Sequence, residues 1–294
     1  MISNYKYKPH YFFATTFIVT FLLWFFGAYI SFYSENKGLY MMLMLPGLMA
    51  PFLISLVMIL LSENKAIKRD FFNRLINPRL IQRKTLPILL LLMPLSVLFS
   101  IVLSLPFGGS LYQFQFAEGF SFSSGFVPVL LILLLAASFE ELGWRGYAFD
   151  SLQSRYSYFT ASLLFSILWS FWHFPLLFVN NSYQYEIFHE NAWFAVNFFV
   201  SIIPMGIILS WICIKNRKSI LAAILFHFII NISQEILDIS QMTKCIETVV
   251  LAGVAAGIIY FDRNMFFSTE HLKPKRTTIR NLSNDSISTE LGRA

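Results

Sequence analysis

A helix that crosses the hydrocarbon core of a bilayer needs about 20 mainly apolar residues. Eight segments of this chain approach that length, at roughly 11–32, 40–61, 86–106, 127–148, 160–179, 192–214, 219–234 and 245–261. The seventh is the shortest and ends in polar residues. Only 13% of the residues are charged, against about 25% in soluble domains. The expected fold is all-α, a polytopic membrane protein of about eight transmembrane helices. Residues 1–263 read as one helical membrane domain. Residues 264–294, rich in Ser, Thr, Asn and Arg, read as a polar tail without fixed structure. The first apolar run follows Lys6 and Lys8 and outlasts the 7–15 residues or so of a signal peptide, so it reads as a helix that is retained.

The loops between these runs alternate in charge. The segment 62–85 carries seven Lys or Arg residues, and "KNRK" at 215–218 is also basic. Loops 107–126 and 180–191 carry none. Basic loops mark the cytoplasmic side, which places both termini there, as an even number of spans requires. The net charge of +6 is accounted for by this asymmetry and gives no reason to expect nucleic acid as a partner. Within 62–85, "FFNRLI" is apolar and cationic together, as in an interfacial helix; the plainer reading, a determinant of topology, is preferred. Cys213 and Cys245 fall near opposite faces and are not expected to pair.

Charged side chains inside a span are costly and mark function. Few qualify. The stretch "ASFEELGWRGYAF" brings Glu140, Glu141 and Arg145 into the fourth span. The fifth span has His173, and the seventh has His227 and Asn231. Successive residues on an α-helix differ by about 100°, so the two glutamates face different ways. Glu141 and Arg145, four apart, share a face and read as an ion pair that is structural before it is chemical. Glu140 is left in need of a partner from another helix, with the histidines as the available groups. A desolvated carboxylate of that kind suits general-base work. His227 and Asn231 also share a face, and as two neutral donors they could hold the oxygen of a tetrahedral intermediate. Taken alone, they serve equally well as interhelical hydrogen-bonding groups. Counted along the helices, Glu140 and His227 lie at similar depth and His173 several ångströms deeper, where Pro175 loosens the helix. Trp169, Trp172 and Trp193 read as packing or interface residues. Glu186, His189 and Glu190 read as a solvated outer loop.

The three motifs together resemble those of the CAAX prenyl proteases of the Ras-converting type, which are grouped with intramembrane glutamate proteases. The family pattern EExxxR stands here as Glu140-Glu141-Leu142-Gly143-Trp144-Arg145. FxxxH stands as Trp169 through His173, with Trp where Phe is usual, a departure that leaves the catalytic assignment intact and the subfamily open; an archaeal or bacterial member is expected. HxxxN stands as His227 through Asn231. The resemblance implies an endopeptidase that cuts a prenylated CAAX C-terminus after the modified cysteine. Glu140 would activate water with His173 assisting. His227 and Asn231 would form the oxyanion hole, with Glu141 and Arg145 in support. An intramembrane cavity open to cytoplasm and lipid would admit the prenylated peptide. The implied partners are a prenylated protein or peptide and membrane lipids, with no cofactor and no metal; the oligomeric state is left open.

Two alternatives stay open at this level. Glu140, His173 and His227 could converge as a zinc site, although no HExxH helix is present. A transporter or membrane scaffold could use the same buried polar residues to bind an ion or a partner.

Overall fold

The computed structural model describes residues 5–33, 37–118 and 126–272. Twelve helices follow in order: α1 Pro9–Tyr33, α2 Lys37–Leu60, α3 Lys65–Ile76, α4 Leu86–Ser104, α5 Phe126–Gly143, α6 Phe149–Gln153, α7 Tyr158–Trp172, α8 Tyr183–Glu190, α9 Ala192–Lys215, α10 Ile220–Glu235, α11 Gln241–Phe261 and α12 Arg263–Phe267. No β-strand occurs among the described residues. Side chains set several starts. Asn64, Ser157, Ser182, Asn191, Ser219 and Ser240 each accept a backbone N–H from the first turn that follows, which satisfies donors that a helix leaves unpaired.

Among the described residues, six helices are long and apolar enough to cross a membrane. The other two expected spans correspond to α5, 18 residues long and continued by a π-turn at Trp144–Ala148, and to α10, of 16 residues. Large apolar side chains such as Leu22, Phe26, Leu91, Phe99, Ile132 and Val249 are exposed on the outside of the bundle. In lipid these are the favoured contacts, since the backbone hydrogen bonds stay inside each helix. The protein is a multi-pass membrane protein.

Aromatic rings knit the interior. Trp172 lies 4.6 Å from Trp24 and 5.5 Å from Trp144 between ring centroids. Two of the three indole N–H groups are bonded: Trp172 donates to Thr20 Oγ1 at 3.0 Å and Trp24 to the carbonyl of Met44 at 2.9 Å. Helices α2 and α5 approach closely at Gly143, where an added Cβ would meet the backbone of Pro51 at 2.3 Å. Ser55 Oγ, one turn further along α2, donates to the carbonyl of Leu142 at 3.1 Å. That contact fixes the height and rotation of the helix bearing both glutamates.

The basic segment 62–85 does more than set topology. It folds into α3, whose Ile67, Phe71 and Arg74 are buried. Arg74 donates to the carbonyls of Arg145 and Gly146 at 3.2 and 3.4 Å and pairs with Asp150 at 2.9 Å and Asp70 at 2.7 Å. Lys218, from the other basic loop, reaches the same Asp150 at 2.7 Å. A π-turn breaks the regular register of helix hydrogen bonds, and Arg74 supplies donors for carbonyls within it. The preferred reading of this segment as topology determinant alone is therefore incomplete, because contacts between a loop helix and a distant turn leave no trace in local spacing.

The two described chain ends and both basic loops lie at one end of the bundle. The backbone N–H of Lys8 donates to the Tyr147 hydroxyl at 3.0 Å, and Asn216 bridges to Gln82 and Thr85 at 2.7 Å each. The polar tail begins as ordered chain: α12 follows α11, and the His271 ring stacks on Tyr158 at 4.4 Å. The rest of the expected tail, 273–294, lies outside the described residues. Cys213 and Cys245 are unpaired, as expected.

Candidate active site

Helices α5, α7, α8, α9, α10 and α11 contribute to a cavity of about 300 Å³ that is lined by Glu140, His173, His227 and Asn231. The three motifs thus meet in one place. The offset in depth that helix counting suggests for His173 does not keep it from this cavity. Regular helix α7 stops at Trp172, and His173 forms its cap before the 3-10 turn Phe174–Phe178, which contains Pro175. That cap and Glu140 both line the cavity.

Glu140 is 7% exposed and Glu141 is fully buried. The neighbours diverge as helix geometry requires. Glu141 takes the ion pair: Arg145 Nη1 lies 3.1 Å from its Oε1 and 3.0 Å from its Oε2. The guanidinium rests on the Phe165 ring at 4.2 Å. His227 Nδ1 also donates to Glu141 Oε1, at 2.9 Å. The histidine partner expected for Glu140 therefore belongs to Glu141, in a continuous chain Arg145–Glu141–His227.

The partner of Glu140 is Trp169, whose indole N–H donates to Glu140 Oε2 at 2.8 Å. Trp169 was expected only to pack, so this is a correction. One sequence signal could have found it: Trp169 stands in the FxxxH position, where Phe has no donor. The backbone carbonyl of Trp169 also accepts from His173 Nδ1 at 2.8 Å. One residue thus fixes both the carboxylate and the imidazole. Asn231 Nδ2 donates to the carbonyl of Leu133 at 3.4 Å, a long contact.

These bonds assign ring protons. In both histidines Nδ1 faces an oxygen acceptor and carries hydrogen, so a neutral ring keeps a lone pair at Nε2. His227 is then not the neutral donor that the sequence suggested. It donates from Nε2 only as imidazolium, with Glu141 as counterion. His173 Nε2 is an acceptor that can hold a water hydrogen.

Among the described residues no three His, Cys, Asp or Glu side chains are placed to hold a metal ion.

The cavity lies in the half of the bundle away from the basic loops. Its walls come from the first half of α9 and of α11 and the second half of α10, and extend to Tyr183 and Lys244. None of the residues lining it belongs to the basic loops 62–85 and 215–218, the side from which entry was expected.

A family model described as "Type II CAAX prenyl endopeptidase Rce1-like" matches residues 122–233, which contain all three motifs. "CAAX prenyl protease 2" of Methanococcus maripaludis is 65% identical over 267 residues, which is 91% of this chain and 98% of that protein. Identity of that extent, together with a buried glutamate, two histidines and an asparagine gathered on one intramembrane cavity, leads to one conclusion: the chain belongs to the Rce1-like family of type II CAAX prenyl endopeptidases.

Proposed function

We propose that the chain cuts a prenylated CAAX C-terminus after the modified cysteine, with Glu140 activating the attacking water. The observation that carries this reading is the Glu140 carboxylate itself. It is buried, it has no cation paired to it among the described residues, and one oxygen is held by Trp169 while the side chain lines the cavity. Glu140 takes a proton from water as the oxygen adds to the carbonyl of the prenylated cysteine. His173 Nε2 accepts the other water hydrogen and orients the attack. The developing oxyanion is met by Nε2–H of the His227 imidazolium and by the Asn231 amide. Glu140 then returns its proton to the leaving nitrogen as the C–N bond breaks. The products are a new carboxylate on the cysteine and a free tripeptide. Arg145 and Glu141 hold His227 and touch no reacting atom.

Phe194, Phe198, Ile202, Met205 and Leu251 make much of the remaining wall, a surface suited to an isoprenoid chain. On the charge asymmetry of the loops we place both termini in the cytoplasm. With that orientation the peptide end of the substrate points toward the opposite face.

The test is mass spectrometry of a farnesylated Cys-Val-Ile-Met peptide incubated with the purified protein in detergent, with and without a strong zinc chelator. The expected result is release of Val-Ile-Met in both samples and no cleavage of the peptide lacking farnesyl. Cleavage abolished by the chelator would move Glu140 into a metal shell, and no cleavage by folded protein would overturn the reading.

Trp169→Phe is expected to lower kcat about tenfold or more with little change in KM. It leaves Glu140 Oε2 without its donor, and a hydrogen bond to a charged group contributes about 1.5–3 kcal/mol. The same peptide assay reads it. An unchanged kcat would mean that Trp169 only packs.

A further inference from the structure

Beyond Asn231 the cavity wall carries one Lys or Arg side chain, Lys244. Its Nζ lies 4.5 Å from the centre of the Tyr183 ring, and the Tyr183 hydroxyl donates to Gln241 Oε1 at 2.9 Å. Among the described residues Lys244 enters no salt bridge. Glu247, one turn along α11, is 2% exposed, and both its oxygens accept from Gln234 Nε2, at 2.7 and 2.9 Å. The other titratable groups on the wall are Glu140, Glu235, His173 and His227. Three of them and Glu247 do not attract an anion, and the charge of a His227 imidazolium is balanced by Glu141. An anionic group entering the cavity therefore has one cation outside any salt bridge to meet, with Glu247 as its neighbouring carboxylate on α11.

The spacing matches a short peptide. From His227 to Gln234 the rise along α10 is seven residues, or roughly 10 Å. Gln234 meets Glu247 across the wall, and Lys244 lies three residues before Glu247 on the antiparallel α11, roughly 5 Å further out. The Lys244 ammonium stays in reach of the site through the rings beside it: Tyr183 lies 6.1 Å from Phe198, and Phe198 lies 5.7 Å from His173. Three extended residues span roughly 10 Å. A peptide whose scissile carbonyl sits between Glu140 and His227 thus ends near the Lys244 ammonium.

We propose that Lys244 receives the C-terminal carboxylate of the substrate, so that the site counts three residues back from the chain end. This rests on the hydrolytic reading above. It makes Lys244 a specificity residue, remote from the reacting atoms, and it gives a physical reason for a preference for true C-termini over internal sequence.

The test is equilibrium binding to the full-length Glu140→Gln protein in detergent, which reads affinity without turnover. The probes are farnesylated Cys-Val-Ile-Met with a free terminal carboxylate and the same peptide as its C-terminal amide. The acid is expected to bind about tenfold to a hundredfold more tightly, the range of one charged hydrogen bond. Adding Lys244→Met should erase that ratio and leave amide binding unchanged, whereas Lys244→Arg should keep it. Equal binding of acid and amide by the parent overturns the proposal. So does an equal loss for both probes in Lys244→Met, which is the signature of a structural role, and so does binding of neither probe. If Glu140→Gln distinguishes acid from amide through Lys244 while the folded wild type cuts neither peptide, the hydrolytic reading is contradicted and this one is supported.

Discussion

Glu140→Gln is expected to lower kcat by about a thousandfold, within the range for loss of a general base, while the protein unfolds within a few degrees of the wild type. Glutamine has nearly the shape of glutamate and keeps an oxygen to accept from Trp169 Nε1, now 2.8 Å from Glu140 Oε2. No ion pair is broken, because Glu140 has no cationic partner among the described residues. What is lost is the capacity to take a proton from water. Peptide cleavage and thermal unfolding in the same detergent check both halves. A Glu140→Gln protein within tenfold of wild-type activity would shift the base role to another group, with His173 the first to examine. A large fall in unfolding temperature would mean that Glu140 holds the fold.

The adjacent substitution should behave differently. Glu141→Gln is expected to abolish activity and also to lower the unfolding temperature by on the order of ten degrees. Glu141 is fully buried, with Arg145 at 3.0 Å and His227 at 2.9 Å. Removing one charge from a buried pair leaves the other uncompensated and costs about 3–5 kcal/mol. Arg145 is badly placed to bear it, since its Nε and Nη2 already lack hydrogen-bond partners among the described residues. Activity falls for a separate reason: His227 loses the anion that holds its ring and balances its imidazolium. Cleavage rates and unfolding curves for the two variants, run side by side, decide the matter. If Glu141→Gln unfolds at the wild-type temperature and cuts at the wild-type rate, the Arg145–Glu141–His227 chain has no part in either property.

The contrast between these neighbours was readable from spacing. Four residues from Glu141 to Arg145 make a face, and one residue from Glu140 to Glu141 makes a divergence; both follow from helix pitch alone. The same holds for the apolar runs, which became helices close to their expected bounds, as with 219–234 and Ile220–Glu235. Partnerships between helices were not readable. Assigning Trp169 to Glu140 and His227 to Glu141 depends on how far each helix is rotated and raised against its neighbours. Those offsets are set by contacts such as Gly143 on the backbone of Pro51, which involve residues 92 positions apart. The cap at His173 was legible in part, through Pro175, but its place on the cavity wall was not. Arg74 was hidden for a similar reason: a cation in a basic loop gives no sign that it will be buried against a turn 71 residues away.

The π-turn at Trp144–Ala148 bears on how this segment can vary. A π-turn holds one residue more than the regular helix it interrupts. Loss of one residue there would let the helix close into ordinary pitch with the turns on either side still in register. What would vanish is the widened turn itself. The carbonyls of Arg145 and Gly146, which now accept from Arg74, would return to N–H groups of their own helix, and the buried Arg74 would lose two acceptors. The extra residue thus serves as an adaptor, turning backbone that a regular helix keeps to itself into a docking point for a neighbouring segment.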